Sequence, residues 1–294
     1  MKIITSAVEL QAARRAWTGD VGFVPTMGGL HRGHAALFAH ARTRHRHVVA
    51  SVYVNPLQFG PREDFSAYPR TFEADQALLE ASGVDIAFFP TPDAIYPAGP
   101  ARQTEVRVPG LSDDLCGRYR PGHFTGVTTV VARLFGLVQP TVAYFGKKDY
   151  QQWRLIEQMV RDLAWSIAVI GVDTVREADG LALSTRNRYL NADQRARAPL
   201  LAELLRTAAV AIQAGDDIPA VERTVLEQLR GAGFVPDYVS VRRQSDLGLP
   251  QETDDALVIL AAAHLGEARL IDNREFSRLG LAESAALHEA EKAG

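Results

Sequence analysis

The chain has 294 residues, 47% of them hydrophobic and 23% charged, so its composition is globular, with apolar mass for one large core or two ordinary ones. Formal net charge is −3, from 32 basic and 35 acidic residues, which gives no general attraction to nucleic acid or an anionic membrane. A single cysteine, Cys116, excludes an internal disulfide. No run of roughly 18 apolar residues is present to cross a membrane. Met1 to Leu10 lacks the basic-then-apolar order of a signal peptide. The expected location is therefore cytoplasmic, with neither nucleic acid nor membrane as a partner.

Residues 21–25 predict a buried strand ending at a glycine-rich turn. Helical spacing follows over 35–44, then a β-branched strand over 47–54 that stops at Asn55-Pro56. Residues 73–82 predict a helix and 84–89 a strand. Val127, Val130, Val131, Leu134, Phe135 and Val138 recur with helical period, one apolar stripe without exceptions. A strand over 141–145, a helix over 150–163 and a strand over 166–170 come next. Strands apolar on both faces and separated by helices imply a parallel sheet covered on both sides, an α/β doubly wound fold. After Leu190 the character changes. Asn191 and Gln194 read as a capping box opening a helix through Leu201, Leu204 and Leu205. A helix over 220–229 and strands over 238–241, 257–262 and 267–271 complete a smaller α+β unit. The expected domains are 1–172, catalytic, and 173–294, a lid.

Four segments carry chemistry. Pro25-Thr26-Met27-Gly28-Gly29-Leu30-His31-Arg32-Gly33-His34 lies between a strand and a helix, where open parallel sheets bind ligands. Glycines let a phosphate approach the backbone, and a helix start attracts anions. The spacing is neither a P-loop nor a dinucleotide fingerprint. A structural turn with exposed histidines is the alternative, and the strand-turn-helix setting weighs against it. Gly146-Lys147-Lys148-Asp149-Tyr150-Gln151-Gln152 occupies a second such position, where a lysine reaches a polyphosphate as a point charge or is merely solvated beside a capping Asp149. Asp179 to Asn187 offers Ser184 and Arg186 to phosphate oxygens, or is only a polar loop. Asn55-Pro56-Leu57-Gln58-Phe59 presents an amide that could orient a hydroxylated substrate, or is only a turn.

In this order and at these separations the segments resemble the pantothenate synthetase family of His-x-Gly-His nucleotidyltransferases. Tyr53 to Gly60, Tyr68-Pro69-Arg70-Thr71 and Gly117 to Gly126 match its pattern as well. The resemblance implies a Rossmann-like first domain and ATP-dependent condensation of pantoate with β-alanine through a pantoyl-adenylate. It implies Mg²⁺ as cofactor and a homodimer. By the same resemblance His34 is the general acid, with His31 and Lys148 as phosphate partners in catalysis. Met27, Gly28, Gly29, Leu30, His31, Arg32, Gly33 and His34 would line ATP, together with Gly146, Lys147, Lys148, Asp149, Val175, Leu183, Ser184, Thr185 and Arg186. Gln58 would contact pantoate and β-alanine, Gln152 pantoate, and Asp75 an outer shell near magnesium.

Gly29 stands where the family often has Ala or Asn, and Lys147 where Glu is usual. Arg42, Arg44, His45, Arg46 and His47 read as a solvated helix end, and Cys116 as structural. Another His-x-Gly-His nucleotidyltransferase acting on a small acid is the nearest alternative. A non-catalytic nucleotide-binding protein is the other.

Overall fold

The computed structural model describes residues 1–61 and 63–279, so residues 280–294 of the second expected domain lie outside the described residues. The chain divides into two compact units. The first is Met1–Val175 with Leu183–Thr185, and the second is Arg176–Ala182 with the chain from Arg186 onward.

The first unit runs β1 (Lys2–Ile4), α1 (Ala7–Arg15), β2 (Val21–Thr26), α2 (Arg32–Arg42), β3 (His47–Val52), α3 (Phe72–Ala81), β4 (Ile86–Phe88), α4 (Pro92–Ile95), α5 (Cys116–Tyr119), α6 (His123–Val138), β5 (Val142–Gly146), α7 (Tyr150–Asp162) and β6 (Ala168–Val172). Its six strands are all parallel, in the order β1-β4-β3-β2-β5-β6. This is the doubly wound sheet expected from the sequence. Val21, Phe23 and Val24 of β2 are buried on both faces, as are Val48, Val49 and Ala50 of β3. The α6 stripe is buried throughout, and each such Val, Leu or Phe contributes roughly 1.5–3 kcal/mol.

From β2 the chain passes through α2 to β3 on one side, while β5 continues through α7 to β6 on the other. The order therefore reverses between β2 and β5, which are paired. At such a reversal the crevice beyond the carboxyl ends of the strands is open to a ligand.

The second unit runs α8 (Ala192–Arg197), α9 (Leu200–Gln213), α10 (Ile218–Gly231), β7 (Val235–Arg243), β8 (Ala256–Leu265) and β9 (Ala268–Ser277), with an antiparallel sheet in the order β7-β8-β9. Leu201 and Leu205 share its core with Leu257 and Ile259. The Asn191–Gln194 capping box forms as predicted, with reciprocal bonds of 3.0 and 2.9 Å. The single helix expected after it is two, because Pro199 has no N–H to continue the ladder.

The segment 2–15, for which the sequence pattern named no element, forms β1 and an α1 capped by Ser6. One local expectation fails for a tertiary reason. His45 is not solvated: it is 9% exposed and bonds the Tyr144 hydroxyl at 2.7 Å.

Candidate active site

The turn after β2 is built inward from its backbone. Gly28 and Gly29 have φ of 84° and 60°, the left-handed region that a side chain resists. They bend the chain around Asp75, which is 2% exposed in the first turn of α3. Its carboxylate accepts from the Gly29 N–H at 3.1 Å, the Leu30 N–H at 2.8 Å and the Thr71 hydroxyl at 3.0 Å. Two of the N–H groups that the glycine turn seemed to offer a phosphate are thus already taken. The carboxylate expected near magnesium is committed to the turn. Among the described residues no group of three or more His, Cys, Asp or Glu could hold a metal by itself.

His31 caps α2, and the two imidazoles are locked reciprocally. Gly33 N–H donates to His31 Nδ1 at 3.1 Å, and His31 N–H donates to His34 Nδ1 at 3.2 Å. With each Nδ1 an acceptor, the proton of each neutral ring sits on Nε2. The rings lie 4.2 Å apart, tilted by 44°. Burial, then the Lys148 charge, lowers His31 to about 4 despite Asp149. Burial, then His31 and Lys148, lowers His34 to about 3. Both are neutral donors at pH 7.

Lys148 thereby joins the second turn to the first. It leaves the carboxyl end of β5 in the one-turn 3₁₀ helix Lys147–Asp149 after Gly146, and α7 follows. Because β2 and β5 are neighbours, the two turns emerge side by side. Lys147 goes elsewhere: its Nζ lies 3.0 Å from Asp173 and 5.6 Å from the centre of the Trp153 ring. The return segment closes on the first turn. Leu183 N–H bonds Val175 at 3.0 Å, and the Thr185 hydroxyl bonds the Gly29 carbonyl at 3.2 Å, with Ser184 between. Leu183 also faces Gly33, whereas Arg186 belongs to the second unit. Leu30 packs on the core, and Arg32 opens α2.

Gln58 is 7% exposed and its side-chain amide is held at both ends. Its amide donates to Met27 Sδ at 3.2 Å and accepts from Asn55 at 3.0 Å, while Tyr96 donates to Asn55 at 2.7 Å. Gly126 of α6 lets the helix backbone meet the loop: a Cβ there would stand 2.2 Å from the Leu57 carbonyl oxygen. The Gln58 carbonyl oxygen lies 2.8 Å from His123 Nδ1, and His123 Nε2 lies 2.8 Å from Arg120. Arg120 carries Glu63 on a two-bond fork of 2.7 and 2.6 Å. Burial pushes the Glu63 carboxyl up, but hydrogen bonds and charge from Arg120, with the Gly60 N–H and His123, outweigh it and hold it at about 2.

The adjacent glutamines of α7 differ. Gln151 is buried and clamps Cys116 N–H and the Leu111 and Asp114 carbonyls at 2.8–3.0 Å. Gln152, partly buried, takes no part in that clamp. Sequence reasoning missed Asn55, Tyr96, Arg120 and Gln151. For Asn55 a signal existed, since it opens the Asn-Pro turn and its side chain caps Leu57 N–H at 3.3 Å.

A sequence model of the family described as Pantoate-beta-alanine ligase matches residues 2–275. The chain belongs to that family. It is 54% identical over 274 residues to a pantothenate synthetase of Shewanella loihica, covering 93% of this chain and 97% of the relative. With a pantothenate synthetase of Shewanella oneidensis it shares 52% over 281 residues, 94% of this chain and all of the relative. Among solved structures, pantothenate synthetase from Thermus thermophilus superposes with a TM-score of 0.87 at 47% identity, covering 93% of this chain and 99% of that one. Pantoate-beta-alanine ligase from Francisella tularensis, complexed with beta-gamma ATP and beta-alanine, gives a TM-score of 0.78 at 31% identity, covering 95% and 98%. Both structures resemble this chain across both units. Among the described residues no helix is long and apolar enough to cross a membrane.

Proposed function

We propose that the paired turns hold ATP while a pantoate carboxylate, oriented by Gln58 and Gln152, attacks the α-phosphorus. The new bond is carboxyl oxygen to phosphorus. The bond broken is that to the bridging oxygen, and pyrophosphate leaves with its electron pair. The amine of β-alanine then adds to the activated acyl carbon, loses a proton and expels AMP, leaving an amide. No covalent enzyme intermediate is needed.

The observation that carries this reading is the pair of locked imidazoles beside Lys148. Each ring has its Nδ1 tied to a backbone N–H, so each keeps an Nε2–H as a neutral donor. The Lys148 charge contributes to depressing both rings, which supports a reading in which all three groups serve the same phosphates. Negative charge grows on the phosphoryl oxygens in the transition state, and fixed donors aimed there lower the barrier. In this state His34 acts as a hydrogen-bond donor from Nε2 rather than as an imidazolium acid.

Magnesium would accompany ATP and offset the charge of its phosphates, and the Asp75 carboxylate would act on that site only through the turn it holds. The family resemblance further supports a homodimer working in the cytoplasm.

The test is isotope exchange. With ATP and labelled pyrophosphate, exchange into ATP should require pantoate alone, and net AMP release should require pantoate and β-alanine together. Exchange that proceeds without pantoate, or ATP binding with no exchange at all, would overturn the assignment.

A further inference from the structure

Arg120 carries more than a surface strap needs. Its side chain is 13% exposed, and its backbone is held by helix ends: the Arg120 backbone N–H donates to the Cys116 carbonyl at 2.9 Å, and the Arg120 carbonyl accepts from His123 N–H at 3.1 Å. From that fixed point it reaches the Gln58 wall twice, directly to the Gln58 carbonyl at 3.4 Å and through His123. The remaining fork carries the Glu63 carboxylate at 2.7 and 2.6 Å. Glu63 hangs from the segment after Gly60, where its N–H closes a 3.0 Å turn, and its side chain is 26% exposed. A rigid guanidinium beside the substrate wall thus holds a carboxylate that a more exposed side chain supplies.

This inference rests on the reaction proposed above, which brings a second carboxylate to Gln58. β-Alanine reacts through its amine, two methylenes away from a carboxylate that takes no part in bond formation and must still be recognised. A planar guanidinium fork matches a carboxylate with two parallel hydrogen bonds, which a lysine cannot do. We propose that Arg120 is the receptor for the β-alanine carboxylate and that Glu63 is its resident stand-in, displaced when β-alanine binds.

The exchange is balanced. One carboxylate replaces another on the same two N–H groups, so no buried charge is left unpaired at either stage, the outcome that costs most. Glu63 then reaches water from a partly exposed position. It competes with β-alanine and keeps the fork paired and aligned while pantoate is activated.

The experiment compares two acceptors, β-alanine and β-alaninamide, whose amines are spaced alike but of which only one has a carboxylate. The wild-type enzyme should prefer β-alanine in kcat/KM by roughly tenfold to a hundredfold, the size of one lost charge-assisted hydrogen bond, since the amide keeps one acceptor oxygen. Arg120→Gln should bring that ratio close to one by raising the KM for β-alanine only. Glu63→Gln should lower the KM for β-alanine several-fold and leave that for the amide alone, because a competing anion is gone. If either variant moves both acceptors equally, Arg120 and Glu63 are only a strap and the proposal fails. Should Arg120→Gln not fold, Glu63→Gln decides by itself. Pantoate-dependent pyrophosphate exchange in the wild type, which involves no β-alanine, separates the two levels: its absence sinks the ligase reading, its presence with an unmoved ratio sinks only this one.

Discussion

Asp75→Asn keeps the shape of the side chain and removes only its charge and one acceptor. In the native turn one oxygen takes the Gly29 N–H at 3.1 Å, and the other takes the Leu30 N–H at 2.8 Å and the Thr71 hydroxyl at 3.0 Å. Whichever way the new amide turns, its NH₂ faces a backbone N–H that has no other acceptor there. One buried donor left unsatisfied costs about 1–3 kcal/mol, and the surviving bonds each lose about 1 kcal/mol on becoming neutral. The neutral side chain recovers part of this, since a buried charge no longer has to be desolvated. We expect a net loss of about 2–4 kcal/mol, which lowers Tm by roughly 4–15 °C.

The effect on rate should be larger than the effect on stability. Only Leu30 separates Gly28-Gly29 from His31, so a turn displaced by about 1 Å misaims both imidazoles and costs on the order of a hundredfold. The assay is pantoate-dependent pyrophosphate exchange on protein held well below its lowered Tm, repeated across a magnesium titration. On the scaffold argument excess magnesium restores nothing. Rescue by magnesium would make Asp75 a metal-shell residue, and unchanged Tm with unchanged exchange would refute the reasoning altogether.

His34→Ala should fold and bind ATP yet lose about 10²- to 10³-fold in exchange, as removal of one transition-state donor does elsewhere; near-normal exchange would remove His34 from the chemistry. Imidazole ¹⁵N spectra of the free protein should find both rings neutral and protonated on Nε2 at pH 6. Titration should begin only toward about 4 for His31 and about 3 for His34, and Lys148→Met should move both upward. The sign for stability follows. The unfolded chain takes up these protons first, near 6.5, so stability falls as pH drops from about 6.5 toward the folded values. A ring titrating near 6.5 in the folded protein would contradict the locked geometry. Gly126→Ala drives a Cβ to 2.2 Å from the Leu57 carbonyl and 2.7 Å from Gln58 N, an overpacking worth about 1–3 kcal/mol or more. Because the displaced loop carries Gln58, KM for pantoate should rise more than KM for ATP.

The sequence announced those parts of the site whose partners lie within a few residues of one another. Gly28-Gly29 and His31-x-Gly33-His34 are contiguous, and their reciprocal caps are local, so spacing alone pointed to a turn that starts a helix. The parallel sheet was legible for a similar reason: strands apolar on both faces have few other homes. The hold of Asp75 on the glycine turn was not legible, because an acid in the first turn of a helix ordinarily faces water and favours the dipole. Only the fold brings it against Gly29 and Leu30, 46 and 45 positions away. Glu63 and Arg120 meet across 57 positions in the same way. Gln151 and Gln152 are adjacent and chemically identical, so nothing in composition says which one is buried as a clamp. The helix face decides, and α7 turns Gln151 toward Leu111, Asp114 and Cys116.

The state of the two histidines has a consequence for how the site divides its binding energy. Cationic imidazoles would attract ATP strongly before any bond changes, and affinity shared equally by ground and transition states does not raise kcat. Burial and the Lys148 charge instead keep both rings neutral in the free site. A neutral Nε2–H gains most as negative charge accumulates on the phosphoryl oxygens, because that charge both strengthens the bond and raises the proton affinity of the ring. On the proposed reading Lys148 would act twice: as a fixed cation for the phosphates, and as a neighbour whose charge helps keep both rings neutral in the free site. The buried capping geometry, with every Nδ1 spent on the backbone, makes that division a property of the fold.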